Sequence, residues 1–169
     1  YGLTGPSGSG KSTLLSLLAG WEAPAAGSIS RPAGAAVSWV FQNPHGVAAR
    51  SALVHVSLPL LATGMTVAAA EDRATALLDR FGLLHAAQRP FSSLSGGEAQ
   101  RLMLARGFAS TPTLFLVDEP TAQLDPSTAL EVDTALGALA GESVIVVVAT
   151  HDPRTRDACT DVVDLGAYA

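Results

Sequence analysis

The chain has 169 residues, 48% of them hydrophobic and 15% charged, with a formal net charge of −5. That balance excludes a disordered chain, suits one compact domain with its own core, and argues against a broad basic nucleic-acid surface. A single cysteine, Cys159, excludes an internal disulfide framework and fits a reducing compartment. In chain order, Tyr1 to Thr4 reads as the end of a strand and Ser12 to Ala19 as a helix, with Leu14, Leu15, Leu17 and Leu18 apolar. Ala35 to Phe41 is a strand. Thr66 to Phe81 carries an amphipathic helical pattern, with Ala74, Leu77, Leu78 and Phe81 at i, i+3, i+4 and i+7. Ser95 to Ala109 is a second such helix, and Thr113 to Val117 a short, fully apolar strand. Asp125 and Pro126 supply an N-cap and first helical residue for a helix to about Ala140, stopped by Gly141. Ser143 to Ala149 is a β-branched run expected to be buried on both faces, and Val162 to Leu165 is a last strand.

Strands alternating with helices predict an α/β fold with a mostly parallel sheet flanked by helices. The stretch from about Pro44 to Pro112 is mostly helical and reads as a separate lobe. The longest apolar run, Val144 to Ala149, is too short to span a bilayer, and no signal-peptide pattern opens the chain. The expected setting is cytoplasmic.

Lys11 is the only lysine against nine arginines. It sits in GPSGSGKS, Gly5 to Ser12, followed by Thr13, which matches G-x-x-x-x-G-K-[ST] between a strand and a helix. Glycines let successive amides curl inward toward phosphate oxygens, and the helix start adds its positive dipole end. Lys11 then reaches the β- and γ-phosphates, and the Ser12 hydroxyl is a ligand for Mg²⁺. Downstream, LFLVDEP delivers Asp118 and Glu119 to the carboxyl end of a buried strand, where ligands of open α/β sheets bind. Asp118 suits the metal's water shell, and Glu119 suits a general base for the attacking water. In LSGGEAQR, Ser95 and Glu98 have capping-box spacing, while Gly96 and Gly97 are not needed for a cap and bare the helix-start amides as a second phosphate platform.

These segments resemble the nucleotide-binding domain of the ATP-binding cassette (ABC) family. GPSGSGKST resembles its Walker A loop, LFLVDEP its Walker B strand, and LSGGEAQR its signature. Gln42 in VFQNP resembles the Q-loop glutamine, AQLD ending at Asp125 the D-loop, and His151 in ATHD the switch histidine. Each of those three taken alone reads as a surface polar group, a helix cap or a loop histidine; order and context assign them. His45, His55 and His85 lack such context and are too scattered for a metal site, so they read as structural or surface residues.

The resemblance implies a P-loop NTPase core over 1–43 and 113–169 and a helical lobe over 44–112. It implies ATP bound by Gly5, Pro6, Ser7, Gly8, Ser9, Gly10, Lys11, Ser12 and Thr13, with Mg²⁺ held by Ser12, Gln42 and Asp118. Catalysis falls to Glu119, His151 and Gln42. Ser95, Gly96, Gly97 and Glu98 would close over ATP held by a partner, a homodimer mate or sister ATPase subunit. Family domains carry an antiparallel β-subdomain with an adenine-stacking aromatic ahead of this loop; the sequence opens about four residues before the loop, so the resemblance implies either a fragment or an unusually short form, with Tyr1 not expected to be that aromatic. Within the family, the 53-residue interval from Gln42 to Ser95 contains no long heptad arm, which leans toward transport. SALVHVSLPL and PTAQLD are similar to the group serving lipoprotein release and macrolide-type export. Three functions stay open on the sequence. One is a transporter ATPase subunit, peripheral on the inner face of the cell membrane with a transmembrane permease partner. Another is a soluble ABC ATPase acting on nucleic acid or the ribosome, which the charge disfavours. The third is a non-hydrolysing remnant.

Overall fold

A computed structural model of the chain describes residues 1–139 and 143–168. The chain divides into two compact units. The first comprises Tyr1–Gln42, Pro112–Ala122 and Ser143–Ala169; the second comprises Asn43–Thr111 and Gln123–Glu142.

The first unit is built on a five-stranded sheet in the order β2-β3-β4-β1-β5. The strands are β1 (Gly2–Thr4), β2 (Val37–Val40), β3 (Leu114–Asp118), β4 (Ile145–Ala149) and β5 (Val162–Asp164), and every pairing is parallel. Helix α1 (Lys11–Ala19) places Leu15 against Leu3, Leu116 and Ala149 to form this unit's core. On β3, Phe115, Leu116 and Val117 are all buried, so both faces of the strand are covered, as its unbroken apolar run requires. The expectation of burial on both faces holds for β4 only at its carboxyl end. Val148 and Ala149 are buried, but Ile145, at the amino-terminal rim opposite Leu114, is 55% exposed. Strand β5 is an edge strand, its three residues exposed, and it pairs with β1. A short helix that the sequence pattern did not announce, α6 (Pro153–Asp157), is capped by Asp152.

Because all strands run the same way, their carboxyl ends share one rim. Strand β1 leads into the glycine loop, β2 ends two residues before Gln42, β3 ends on Asp118, and β4 ends two residues before His151. The register sets Asp118 beside Ala149.

The second unit holds α2 (Ala52–Ala62), α3 (Val67–Arg80), α4 (Gly96–Ala109) and α5 (Pro126–Gly137). Thr66 caps α3, and Ala74, Leu77, Leu78 and Phe81 are buried, as the periodicity expects. Helix α2 is apolar on most of its circumference and contains Pro59, so no periodic stripe marks it in the sequence. Its His55 is buried. Nε2 accepts from Val47 N–H at 3.0 Å, which puts the proton on Nδ1, donated to the Ser51 carbonyl at 2.8 Å.

Helix α5 falls in the helical unit, whereas the sequence division places it with the core. Two contacts explain this: α4 and α5 are joined by an Arg101–Glu131 ion pair and by the close approach of Gly97 to Thr128. The helix closes at Gly137 with Ala138 as its C-cap. The expected end near Ala140 and stop at Gly141 lie outside the described residues.

Candidate active site

Helix α1 begins at Gly10, whose left-handed backbone (φ 91) lacks a side chain to bond the following amides. Those orphan N–H groups lie behind the loop Gly5 to Gly10, and the Ser9 hydroxyl is buried with no hydrogen-bond partner. A buried polar atom and an uncapped helix start together suit an anionic oxygen ligand. Lys11 is buried and donates to the carbonyls of Gly5 at 2.8 Å and Pro6 at 3.3 Å, which folds the loop around its ammonium. A cleft of about 310 Å³ opens here, lined by Ser7, Gly8, Gly10, Lys11, Ser12, Thr13, Gln42, Asp118 and Glu119.

Two carboxylates face this loop. The Ser12 hydroxyl donates to Asp118 Oδ2 at 2.9 Å. Burial pushes the Asp118 carboxyl up from its ordinary range and the neighbouring Glu119 charge pushes the same way, opposed by the Ser12 hydrogen bond and the Lys11 charge. A hydroxyl beside a carboxylate that gains from added positive charge is a hard oxygen donor set suited to Mg²⁺. Among the described residues no group of three or more His, Cys, Asp or Glu is placed to hold a metal ion.

Among the described residues, Glu119 is one of two non-glycine residues with positive φ, at 45. That conformation costs about 1–3 kcal/mol. Its amide donates to the Ala149 carbonyl at 2.8 Å, so the turn is anchored on β4. One carboxylate oxygen lies 3.6 Å from Lys11 Nζ, and the other is 2.7 Å from His151 Nδ1. A carboxylate only accepts, so Nδ1 carries the proton.

Ser95, Gly96, Gly97, Glu98 and Asp125 belong to the second unit. Ser95 and Glu98 form the reciprocal capping box that their spacing predicts. Ser95 and Glu98 make the cap without help from the two glycines, but Gly97 has a packing reason besides: a Cβ there would clash with Thr128 Cγ2. Asp125 caps α5, and the Ser127 and Thr128 hydroxyls hold its carboxyl far below the usual range. Sequence reasoning missed Arg89 and set His85 aside; both bond Glu98, from 9 and 13 residues away, at a spacing that no local pattern marks.

Residues 1–122 match the family model described as "ABC transporter". The lipoprotein-releasing system ATP-binding protein LolD of Chromohalobacter salexigens is 38% identical, over 89% of this chain and 70% of that protein. Among solved structures, the cassette MJ0796, dimeric and bound to ADP and Pi after hydrolysis, superposes with a TM-score of 0.84 at 28% identity, covering 98% of this chain and 81% of that one. The cbiO1 protein of Clostridium perfringens, part of the transporter complex cbiONQ, gives 0.85 at 27% identity, covering 98% and 73%. With the phosphate loop, the acidic strand end and the capped signature in one chain, these matches establish that it belongs to the ABC transporter family, as an ATP-binding and ATP-hydrolysing cassette.

Proposed function

We propose that this cassette powers a lipoprotein-release-type transporter from the inner face of the membrane, hydrolysing ATP in a head-to-tail dimer. The observation that carries the catalytic part is Glu119, held between Lys11 and His151 on the rim where the phosphate loop opens. Glu119 Oε1 lies 3.6 Å from Lys11 Nζ, close enough to share its charge. An arriving triphosphate competes for the ammonium and frees the Glu119 oxygen to accept a proton from water. The water oxygen bonds to the γ-phosphorus, the bond to the bridging oxygen breaks, and its electron pair leaves with ADP. His151 fixes the carboxylate through its Nδ1 proton, and Gln42 lines the same cleft. Ser12, Asp118 and Gln42 are the residues that would hold Mg²⁺, which when bound supplies charge neutralisation on the phosphates.

The dimer reading rests on the signature residues Ser95, Gly96, Gly97 and Glu98. They offer a second helix start to an ATP that has one γ-phosphate, and the solved cassette MJ0796 is dimeric. A permease partner is supported by the names of the relatives, one from a lipoprotein-releasing system and one from a transporter complex. Among the described residues no helix is long and apolar enough to cross a membrane.

Glu119→Gln tests this. ATP binding should persist while turnover falls by about 10²–10⁴. Sedimentation of that variant should give a dimer with Mg-ATP and a monomer without it, and Ser95→Arg should abolish the dimer. Turnover at the parental rate would remove Glu119 from its role, and a monomer at saturating ATP would remove the head-to-tail arrangement.

A further inference from the structure

Glu98 is the only acid in the first turn of α4. Its Oε2 accepts the Ser95 N–H at 2.8 Å, completing the capping box. Its Oε1 accepts from Arg89 Nη1 at 2.8 Å and lies 3.0 Å from His85 Nε2. The Glu98 side chain is 13% exposed, so its charge is only weakly screened by water. This carboxylate serves the helix and opposes an anion. It satisfies an orphan amide and favours folding, but a full negative charge in the first turn offsets the half-positive charge that the helix end offers a phosphate.

We propose that Arg89 is a positioning residue for the signature: by neutralising Glu98 through Oε1, it preserves the cap on Oε2 while leaving the start of α4 able to receive the γ-phosphate of ATP held by a second copy. The inference rests on the head-to-tail reading above. Arg89 also donates to the Ser93 carbonyl, two residues before the N-cap, and so fixes the chain as it enters the helix. Burial pushes the Glu98 acid up, but the Ser95 amide, His85, the Ser95 hydroxyl and Arg89 together hold it at about 2, so the charge to be neutralised is present at every physiological pH.

The measurement is the ATP concentration for half-maximal dimerisation by sedimentation, in the Glu119→Gln background. Arg89→Gln should raise it about tenfold, equivalent to about 1.4 kcal/mol. Arg89→Lys, which keeps the charge, should recover most of that loss. Monomer ATP affinity should stay within about twofold, because the phosphate loop is untouched. With Glu98→Gln added, the same Arg89→Gln change should shift dimerisation by less than about twofold, since no charge remains to neutralise. An equal loss with and without Glu98→Gln overturns the inference, and so does an Arg89→Gln protein whose monomer no longer binds ATP, because either makes Arg89 a fold residue. A parent that dimerises with ATP and ignores Arg89 breaks this inference alone. A parent that never dimerises breaks the head-to-tail reading and this inference with it.

Discussion

Helix α1 starts at Gly10, with no side-chain cap and no acid in its first turn, and its first residue is the chain's only lysine. Helix α4 starts at Ser95, with a complete capping box and an acid that is itself neutralised by Arg89. The first helix leaves its amides to a ligand, and the second supplies its own partners. A phosphate platform of the α1 kind is therefore visible in the geometry of one chain, through what is unsatisfied. Helix α4 resembles any well-capped helix, and the role proposed for it depends on a second chain bringing an anion to it.

The sharpest way to break the contrast is Lys11→Ala. It removes the charge-assisted phosphate contact at α1, worth about 1.5–3 kcal/mol, so the Kd for ATP should rise about 10- to 150-fold by calorimetry. An unchanged Kd would make α1 no more a ligand site than α4.

A smaller effect separates the glycines. At Gly97 the obstacle is space, so Gly97→Ala should destabilise by about 1–3 kcal/mol in thermal melts. Thr128→Ser removes the opposing methyl, keeps the hydroxyl for Asp125, and should restore most of the loss. At Gly10 a Cβ meets nothing within 4 Å, and the cost of Gly10→Ala, about 1–2 kcal/mol, comes from the left-handed backbone. No neighbouring substitution should relieve it. A Thr128→Ser change that fails to rescue Gly97→Ala would mean that the helix start, not its packing, demands glycine.

The smallest effect is acid dependence. Glu98 has a folded-state pKa of about 2, below its ordinary 4.5, so the stability it contributes is complete above pH 4.5 and lost as pH falls toward about 2. The parent's melting-temperature advantage over Glu98→Gln should shrink across that window. Helix α1 carries no acid of its own in its first turn, and the carboxylate bonded to its start, Asp118, is pushed up rather than down, so the downward-shifted acid belongs to α4. An advantage that persists unchanged to pH 2 would mean the carboxylate's charge is not what stabilises α4.

Much of the site was legible because its logic is local. The Gly5–Thr13 loop, the Ser95–Glu98 box and the Asp125–Pro126 cap are each encoded within a few residues, and the buried face of α3 follows from helical period. Helix α2 was not, because an apolar segment with Pro59 inside carries no stripe to read. The meeting of Ser12 with Asp118 joins residues 106 apart, and that of Glu119 with His151 joins residues 32 apart. Sequence determined which chemical groups stand at the strand ends. Only the parallel pairing of β3 with β4, in the register that sets Asp118 beside Ala149, decided that they share one rim. The left-handed turn at Glu119, the contact of Gly97 with Thr128 and the neutralisation of Glu98 by Arg89 were likewise decided by tertiary structure. Caps and periodicities are stabilised within one element, whereas these arrangements exist only once separate elements pack and hold each other's backbone in place.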